Sequence, residues 1–364
     1  MPKSDSPNNI QLENRQQAFI QLGRALSTQL AALKSGENEG LKAIISQARI
    51  ENPWFTEPNV IAAIENWCLA LGNESISKWV SPYLPKLTKE HSSKVIGLVN
   101  AGNIPLVGLH DMLSVLICGH SYIAKNATGD FILLPYIANL LIELEPTFRE
   151  KIRFVPKLEN MDAVIATGNN NSARYFEYYF KKYPHIIRKN RNGVAVLTGD
   201  ETTNDLKLLG NDIFSYFGLG CRNVSKLYVP RGYNFDKFFE SIYENNDVMM
   251  HSKYMNNFDY HNSVYLLKRI PFLQNGFLII REEPHVASPV SVIHYEFYDD
   301  RSKLHHHLQE QLESIQCIVA PIDFFSEENV LKKIAFTFGQ TQTPSLWDYA
   351  DGVDTVKFLC DNFN

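Results

Sequence analysis

Cysteine is scarce: five in 364 residues (Cys68, Cys118, Cys221, Cys317 and Cys360), an odd number with no C-x-x-C pair. This excludes a disulfide framework and a zinc knuckle, and it leaves at least one thiol free. Long apolar runs are missing as well. The most hydrophobic stretches are broken by His110 and Asp111 in one case and by Glu143 and Glu145 in another. They fall short of the roughly 18 apolar residues a membrane helix needs, so no membrane span is expected. Positive charge is not in excess. Lys and Arg number 35 against 40 Asp and Glu, a net charge of −5 with no basic tail or stripe, which excludes a general nucleic-acid binder. Residues 1–17 are polar and lack the apolar core of a secretory signal, so a cytoplasmic protein is expected. Internal repeats and low-complexity linkers are absent, and 45% hydrophobic with 21% charged residues excludes disordered, collagen-like and coiled-coil classes. What remains is a chain of the length of two domains, closely joined.

Phe19, Leu22, Leu26, Leu30 and Leu33 recur at helical spacing up to Ser35-Gly36, predicting an amphipathic helix with a glycine stop. A second helix is predicted to open at Thr56, whose hydroxyl can cap it, with Pro58 in the first turn and Ile61, Ile64 and Leu69 to Leu71 on or near the buried side. From Lys94 the texture changes to short apolar runs: 94–99, 121–125, 152–155, 163–166 and 194–197. Mostly separated by helix-length amphipathic segments, they predict a parallel sheet with covering helices. Two following turns are rich in glycine and asparagine, Asn100-Ala101-Gly102-Asn103 and Thr167-Gly168-Asn169-Asn170-Asn171. Ligands of open α/β sheets bind at such turns. A second α/β unit is predicted beyond Cys221, with the boundary near 199–203.

Two segments carry the chemistry. In Phe217-Gly218-Leu219-Gly220-Cys221-Arg222-Asn223, two glycines permit a tight turn with open space around the thiol. Arg222 favours the thiolate that acts as nucleophile. The alternative for a cysteine taken alone is a small buried hydrophobe. The second segment runs from Val99-Asn100-Ala101-Gly102-Asn103-Ile104-Pro105 through a helix to Cys118-Gly119-His120-Ser121-Tyr122-Ile123-Ala124-Lys125.

Here a resemblance emerges. The run from Asn103 to Lys125 resembles the aldehyde dehydrogenase signature Asn-Phe-Pro, helix, Gly-Asn, strand, Lys-Pro. Gly218-Leu219-Gly220-Cys221 resembles that family's Gly-Gln-x-Cys nucleophile turn, and Val164-Ile165-Ala166-Thr167-Gly168-Asn169 its Phe-Thr-Gly-Ser turn. Within the superfamily the likeness is to acyl-CoA reductases of the fatty acid reductase (LuxC) type, over about Lys94 to Pro230. The closing stretch Phe338-Gly339-Gln340-Thr341-Gln342-Thr343-Pro344 with Asp351-Gly352-Val353-Asp354-Thr355 is similar in outline.

The resemblance implies an α/β protein of aldehyde dehydrogenase fold. Its helical N-terminus and Rossmann-type, nicotinamide-binding domain would span 1–200, an α/β catalytic domain 201–345, and a closing segment 346–364. It implies NADPH as cofactor, an acyl-CoA or other acyl thioester as substrate, and a homo-oligomer. Cys221 would attack the thioester carbonyl, with the Asn103 side-chain N–H and the Cys221 backbone N–H donating to the oxyanion. Lys125 would hold the adenosine end of the cofactor, and Thr167, Gly168 and Asn169 its phosphates. Glu282-Glu283-Pro284-His285 is similar to the segment whose glutamate holds the nicotinamide ribose, with Glu283 taken as the contact and Glu282 and His285 as alternatives.

Two departures bear on the reaction. Aldehyde-oxidising members carry a Glu-Leu-Gly-Gly motif whose carboxylate activates water. The comparable stretch, His185-Ile186-Ile187-Arg188-Lys189-Asn190-Arg191-Asn192-Gly193, holds no carboxylate, which favours acyl transfer from a thiol carrier over hydrolysis. Asn126 stands where proline follows the lysine in the family. The rival readings are an NAD(P)-dependent aldehyde dehydrogenase forming the acid and a non-catalytic acyl-binding protein of the same fold. The basic cluster Lys181, Lys182, Arg188, Lys189 and Arg191 is read as a solvated face, with phosphate contact as its alternative. His305-His306-His307 is expected on or beside the polar face of a short helix. Asp348, Asp351 and Asp354 lack calcium-loop spacing, and no metal is expected.

Overall fold

A computed structural model describes residues 11–364; the polar N-terminal stretch expected from the sequence lies largely outside the described residues. The chain divides into two compact units, one running through Lys189 and taking in Ser345–Asn364, the other Asn190–Pro344.

The first unit opens with α1 (Leu12–Lys34), whose Phe19, Leu22, Leu26 and Leu30 are buried at the predicted spacing. It continues through α2 (Glu39–Glu51), α3 (Glu57–Ala70), α4 (Asn73–Val80) and α5 (Leu84–Leu87). The sequence reading passed over α2, which buries only Leu41, Ile45 and Ala48. Thr56 does precede α3, but its side chain makes no capping hydrogen bond, and Leu69 is 72% exposed rather than inward. Then follow β1 (Val95–Val99), α6 (Leu109–Ile117), β2 (Ser121–Lys125), α7 (Leu133–Leu144), β3 (Ile152–Phe154), β4 (Ala163–Thr167), α8 (Asn170–Phe180) and β5 (His185–Arg188). The strands form one parallel sheet in the order β3-β2-β1-β4-β5. Its central strands are apolar throughout because helices cover both faces. In α6 every residue but His110 is buried.

The second unit contains β6 (Asn192–Val196), α9 (Thr203–Phe214), β7 (Val224–Pro230), α10 (Asp236–Ser241), α11 (Ser252–Leu267), β8 (Leu273–Gln274), β9 (Ile279–Glu282), β10 (Val292–Tyr298), α12 (Arg301–Glu310), β11 (Ile315–Val319) and β12 (Ala335–Phe336). Its sheet runs β12-β11-β6-β7-β10-β9-β8, parallel except for the β8/β9 pair. The run at 194–197, which the sequence grouped with the first sheet, pairs instead with β7 and β11. A strand's own residues do not say which partners it takes. The chain then returns to the first unit with α13 (Thr355–Phe363), whose Val356, Leu359 and Cys360 join that unit's core.

The basic cluster is not a solvated face throughout. Arg188 is 5% exposed; its guanidinium grips both carboxylate oxygens of Asp111, with Nη2 at 2.8 Å from Oδ1, and donates to the Thr355 hydroxyl at 3.0 Å. Arg191 Nη1 donates to the carbonyls of Leu312 and Ile315. The three histidines also part company. His306 is exposed, whereas half-buried His305 packs against Phe324 and Phe325 and half-buried His307 meets Glu296 and Gln311. Among the described residues no group of His, Cys, Asp or Glu could hold a metal ion, and no helix is long and apolar enough to cross a membrane.

Candidate active site

The turn that carries Cys221 is built from unusual backbone. α9 ends at Phe214, and Tyr216, Phe217 and Gly218 follow with φ of 52°, 58° and 76°. Three consecutive left-handed residues are costly for side chains with a Cβ, so the surroundings must hold them. Asn223 does so. It is 2% exposed, and its Oδ1 accepts from Gly220 N at 2.8 Å while Nδ2 donates to the carbonyls of Asp212 (3.0 Å), Ile213 (3.3 Å) and Ser215 (2.9 Å). The result is an exposed Cys221 on a clamped loop entering β7. The Phe217 ring closes the loop against His251 and Tyr254, at centroid separations of 4.5 and 6.2 Å.

Two further residues fix this turn. Asp212, fully buried in α9, receives the backbone N–H groups of Gly339 and Thr341 and the Thr341 hydroxyl at 2.7 Å on its carboxylate. Its backbone carbonyl receives Asn223. The residue thus couples the nucleophile turn to the 338–344 stretch. Burial raises its pKa, and the hydrogen bonds from Thr341 and Gly339 oppose that rise. Gly193 in β6 lies under the turn: a Cβ there would stand 2.7 Å from the Arg222 carbonyl and 2.8 Å from that of Asn223. Backbone atoms of a hydrogen-bonded turn cannot yield cheaply. Gly193→Ala is therefore expected to displace the Cys221 turn, costing about 1–3 kcal/mol in denaturant unfolding and lowering the iodoacetamide reactivity of Cys221. None of the roles of Asn223, Asp212 and Gly193 was drawn from the sequence, although Asn223 and Gly193 both lie inside the segments singled out there. The signal available was the glycine directly before the β6 apolar run. Near the turn, Cys317 is buried with its pKa pushed up to about 12 by desolvation, so it stays a thiol.

In the first unit the remaining expected residues collect at one edge of the sheet. Asn103 follows β1, Lys125 ends β2, Thr167 ends β4, and Gly168 and Asn169 lead into α8. These are carboxyl ends of neighbouring strands, on either side of the point between β1 and β4 where the strand order reverses, the place open α/β sheets keep for ligands. Asn169 caps α8, its Oδ1 accepting from Ser172 N at 2.8 Å, and the N-terminal end of a helix favours an anion. Lys125 and Asn103 are exposed.

Buried Asn100 ties the edge together, donating to the Tyr122 hydroxyl at 2.8 Å and to Asn126 Oδ1 at 2.9 Å. Asn126, the departure from the family's proline, thereby has a job: its amide bridges the loops after β1 and β2. Gly102 is pinned by Asn52 and packs so closely that a Cβ would stand 2.9 Å from Ala127 and 3.2 Å from the Cβ of Asp130. Asp130 is 2% exposed, its Oδ1 lacks a partner among the described residues, and desolvation raises its pKa to about 7. In the folded state it holds its proton up to about pH 7, whereas the unfolded carboxyl loses it near pH 4. Stability from this group is present at acid pH and lost as pH rises through 7. With a shift of roughly 3 units, the loss from below pH 4 to above pH 7 amounts to about 4 kcal/mol, of which roughly 3 kcal/mol falls between pH 5 and pH 8. Asp130→Asn is expected to abolish that decline and to be the more stable protein at pH 8, measured by urea unfolding at pH 5 and pH 8.

Glu283 follows β9. Its carboxylate is taken by Arg281 and, at 3.0 Å, by His285 Nδ1, so contact with a ribose requires an exchange of partners.

No protein-family model and no curated protein sequence matches the chain. Solved structures do. Aldehyde dehydrogenase 21 from Physcomitrella patens, in complex with the reaction product succinate, superposes with a TM-score of 0.66 over 98% of this chain and 85% of that one, at 11% identity. An NAD-dependent aldehyde dehydrogenase from Sinorhizobium meliloti gives 0.66 over 92% and 76%, at 10% identity. An aldehyde dehydrogenase from Bacillus cereus, solved as an NAD+ complex, gives 0.58 over 85% and 72%, at 12% identity. The chain has the aldehyde dehydrogenase fold, with the helical N-terminus in place.

Proposed function

We propose that the protein reduces an acyl-CoA, of fatty type, to an aldehyde with NADPH through a thioacyl intermediate on Cys221. The observation that carries this reading is the exposed thiol on a turn of three left-handed residues held by Asn223, in a chain of this fold. A thiol presented on a rigid, costly loop is a nucleophile's setting rather than that of a core cysteine.

In this reading the Cys221 thiolate attacks the thioester carbonyl. The backbone N–H of Cys221 and the Asn103 amide donate to the oxyanion, and the coenzyme A thiolate leaves. The nicotinamide, when bound, supplies hydride to the acyl carbon. Collapse of the resulting thiohemiacetal releases aldehyde and restores the thiolate. The first unit suits such a cofactor: the N-terminus of α8 with Asn169 would meet phosphate, Thr167 and Gly168 would line it, and Lys125 would hold the adenosine end. Glu283 is the proposed ribose contact. A relative of this fold solved with NAD+ supports a nicotinamide in general; the preference for NADPH is part of the proposal. The stretch 185–193 offers no carboxylate to activate water, which supports acyl-CoA reduction over acid formation. The test is NADPH consumption with a panel of acyl-CoAs and identification of the product. Acyl-CoA-dependent oxidation yielding aldehyde is expected; acid formed from aldehyde without coenzyme A would overturn the reading.

A further inference from the structure

Three consecutive carbonyls of one loop in the second unit are held by side chains from two strands. The loop leads from Glu283, after β9, back to β10. The Pro284 carbonyl receives Lys226 Nζ at 2.7 Å, the His285 carbonyl lies 2.8 Å from His294 Nδ1, and the Val286 carbonyl receives the Ser225 hydroxyl at 2.8 Å. A carbonyl oxygen accepts and never donates, so the proton of the His294 ring sits on Nδ1. All three donors are buried. Loop carbonyls ordinarily turn to water, and three protein donors in succession fix a stretch of backbone that would otherwise be free to shift.

The strands are built for this task. Successive residues of a regular strand point to opposite faces, yet Ser225 and Lys226 reach the same loop. The register explains it: Gly193 pairs with Val224 and Val194 with Lys226, so Ser225 is an extra residue in β7. A bulge of this kind re-aims a side chain. In β10, His294 stands directly opposite Lys226. Lys226 is the costly member of the three. Its side chain is 0% exposed, its ammonium is paired with Glu296 Oε2 at 2.7 Å, and it lies 4.8 Å from the centre of the Tyr228 ring. An apolar side chain of similar volume would fill this space without a buried charge, but it could not hold the Pro284 carbonyl.

The backbone around Glu283 is therefore pinned, its own N–H donating to the Tyr295 carbonyl at 3.1 Å. Its carboxylate, by contrast, is held by Arg281 and the exposed His285 ring, partners that a rotation of the side chain can exchange. We propose that Ser225, Lys226 and His294 are positioning residues for the cofactor, pinning residues 284–286 so that the Glu283 carboxylate turns to the nicotinamide ribose without movement of the loop. This rests on Glu283 as the ribose contact. β7, which supplies two of the donors, is also the strand that the Cys221 turn enters, so one strand carries both the nucleophile and the hold on the ribose contact. The three donors touch neither cofactor nor acyl group in this arrangement; they act through Glu283.

The test is the dissociation constant of NADPH for the full chain, read from the quenching of protein fluorescence, together with the rate at which iodoacetamide labels Cys221. Glu283→Gln and His294→Leu are each expected to weaken NADPH about tenfold, the worth of one good hydrogen bond. Combined, they are expected to weaken it no further than Glu283→Gln alone, because the histidine acts through the carboxylate. His294→Asn, whose amide can donate in place of Nδ1, is expected to stay within about twofold of the native affinity. The labelling rate of Cys221 is expected to stay within about twofold of native in His294→Leu. Should His294→Leu not fold, Ser225→Ala, which removes one hydroxyl, takes its place, with a loss of about threefold that also disappears beside Glu283→Gln. Losses that multiply in the combined variant, or a fall in Cys221 labelling that matches the loss of affinity, would overturn the proposal. Native affinity in His294→Leu while Glu283→Gln binds weakly would overturn the positioning role alone. Native affinity in Glu283→Gln would overturn the ribose contact, and the positioning role with it.

Discussion

Replacing Cys221 by serine is expected to lower acyl-CoA-dependent NADPH oxidation by about 10³-fold or more while leaving the melting temperature within a degree or so. The size follows from the chemistry. A serine hydroxyl near neutral pH is almost wholly un-ionised and far less nucleophilic than a thiolate, so the acyl-enzyme step loses about 4 kcal/mol of transition-state stabilisation or more. The stability expectation follows from the structure: Cys221 is exposed, and Asn223 holds the turn through Gly220 N and the Ser215 carbonyl. Steady-state rates over the acyl-CoA panel, with melting curves of both proteins, read the two effects separately. A serine variant that keeps a tenth of the native rate would place the chemistry elsewhere.

The largest stability effect is expected at Asp111→Ala. Removal of this carboxylate leaves the Arg188 guanidinium, 5% exposed, without its bidentate partner. An abandoned buried charge costs about 3–5 kcal/mol, or a melting temperature lower by about 10 °C for a unit of this size. The paired replacement Asp111→Leu with Arg188→Met removes both charges at similar volume and is expected to recover most of the loss. The Thr355 hydroxyl also receives Arg188 at 3.0 Å. Destabilisation by Asp111→Ala is therefore expected to expose α13 first, as hydrogen exchange in residues 355–363.

The parts of this fold that the sequence discloses are those with a local cause. The runs at 94–99, 121–125 and 163–166 are apolar because both faces of a parallel strand are covered, and each is a strand. The tight turn before Cys221 has a local cause in Gly218 and Gly220, which both precede the thiol, as have the turns after β1 and β4 in their glycines and asparagines. What was not legible depends on distant partners. Arg188 meets Asp111 across 77 positions, so a residue in a basic cluster became a buried ion pair. β6 joined the second sheet because β7 and β11 accept it. α2 escaped notice because three small buried contacts make a weak periodic signal. Asp212 and Asn223, whose side chains hold backbone groups of neighbouring segments, carry no motif of their own.

The return of α13 to the first unit sets the order in which the molecule can be made. Val356, Leu359 and Cys360 complete a core whose other members begin at Ala18, and the whole of Asn190–Pro344 lies between. On the ribosome the first unit must therefore wait for the second to be synthesised, roughly 10–30 s at 5–20 residues per second. Throughout that interval the apolar groove awaiting α13 is open. The second unit, whose strands all come from one continuous stretch, can finish first: the later half of the chain folds before the earlier half is whole.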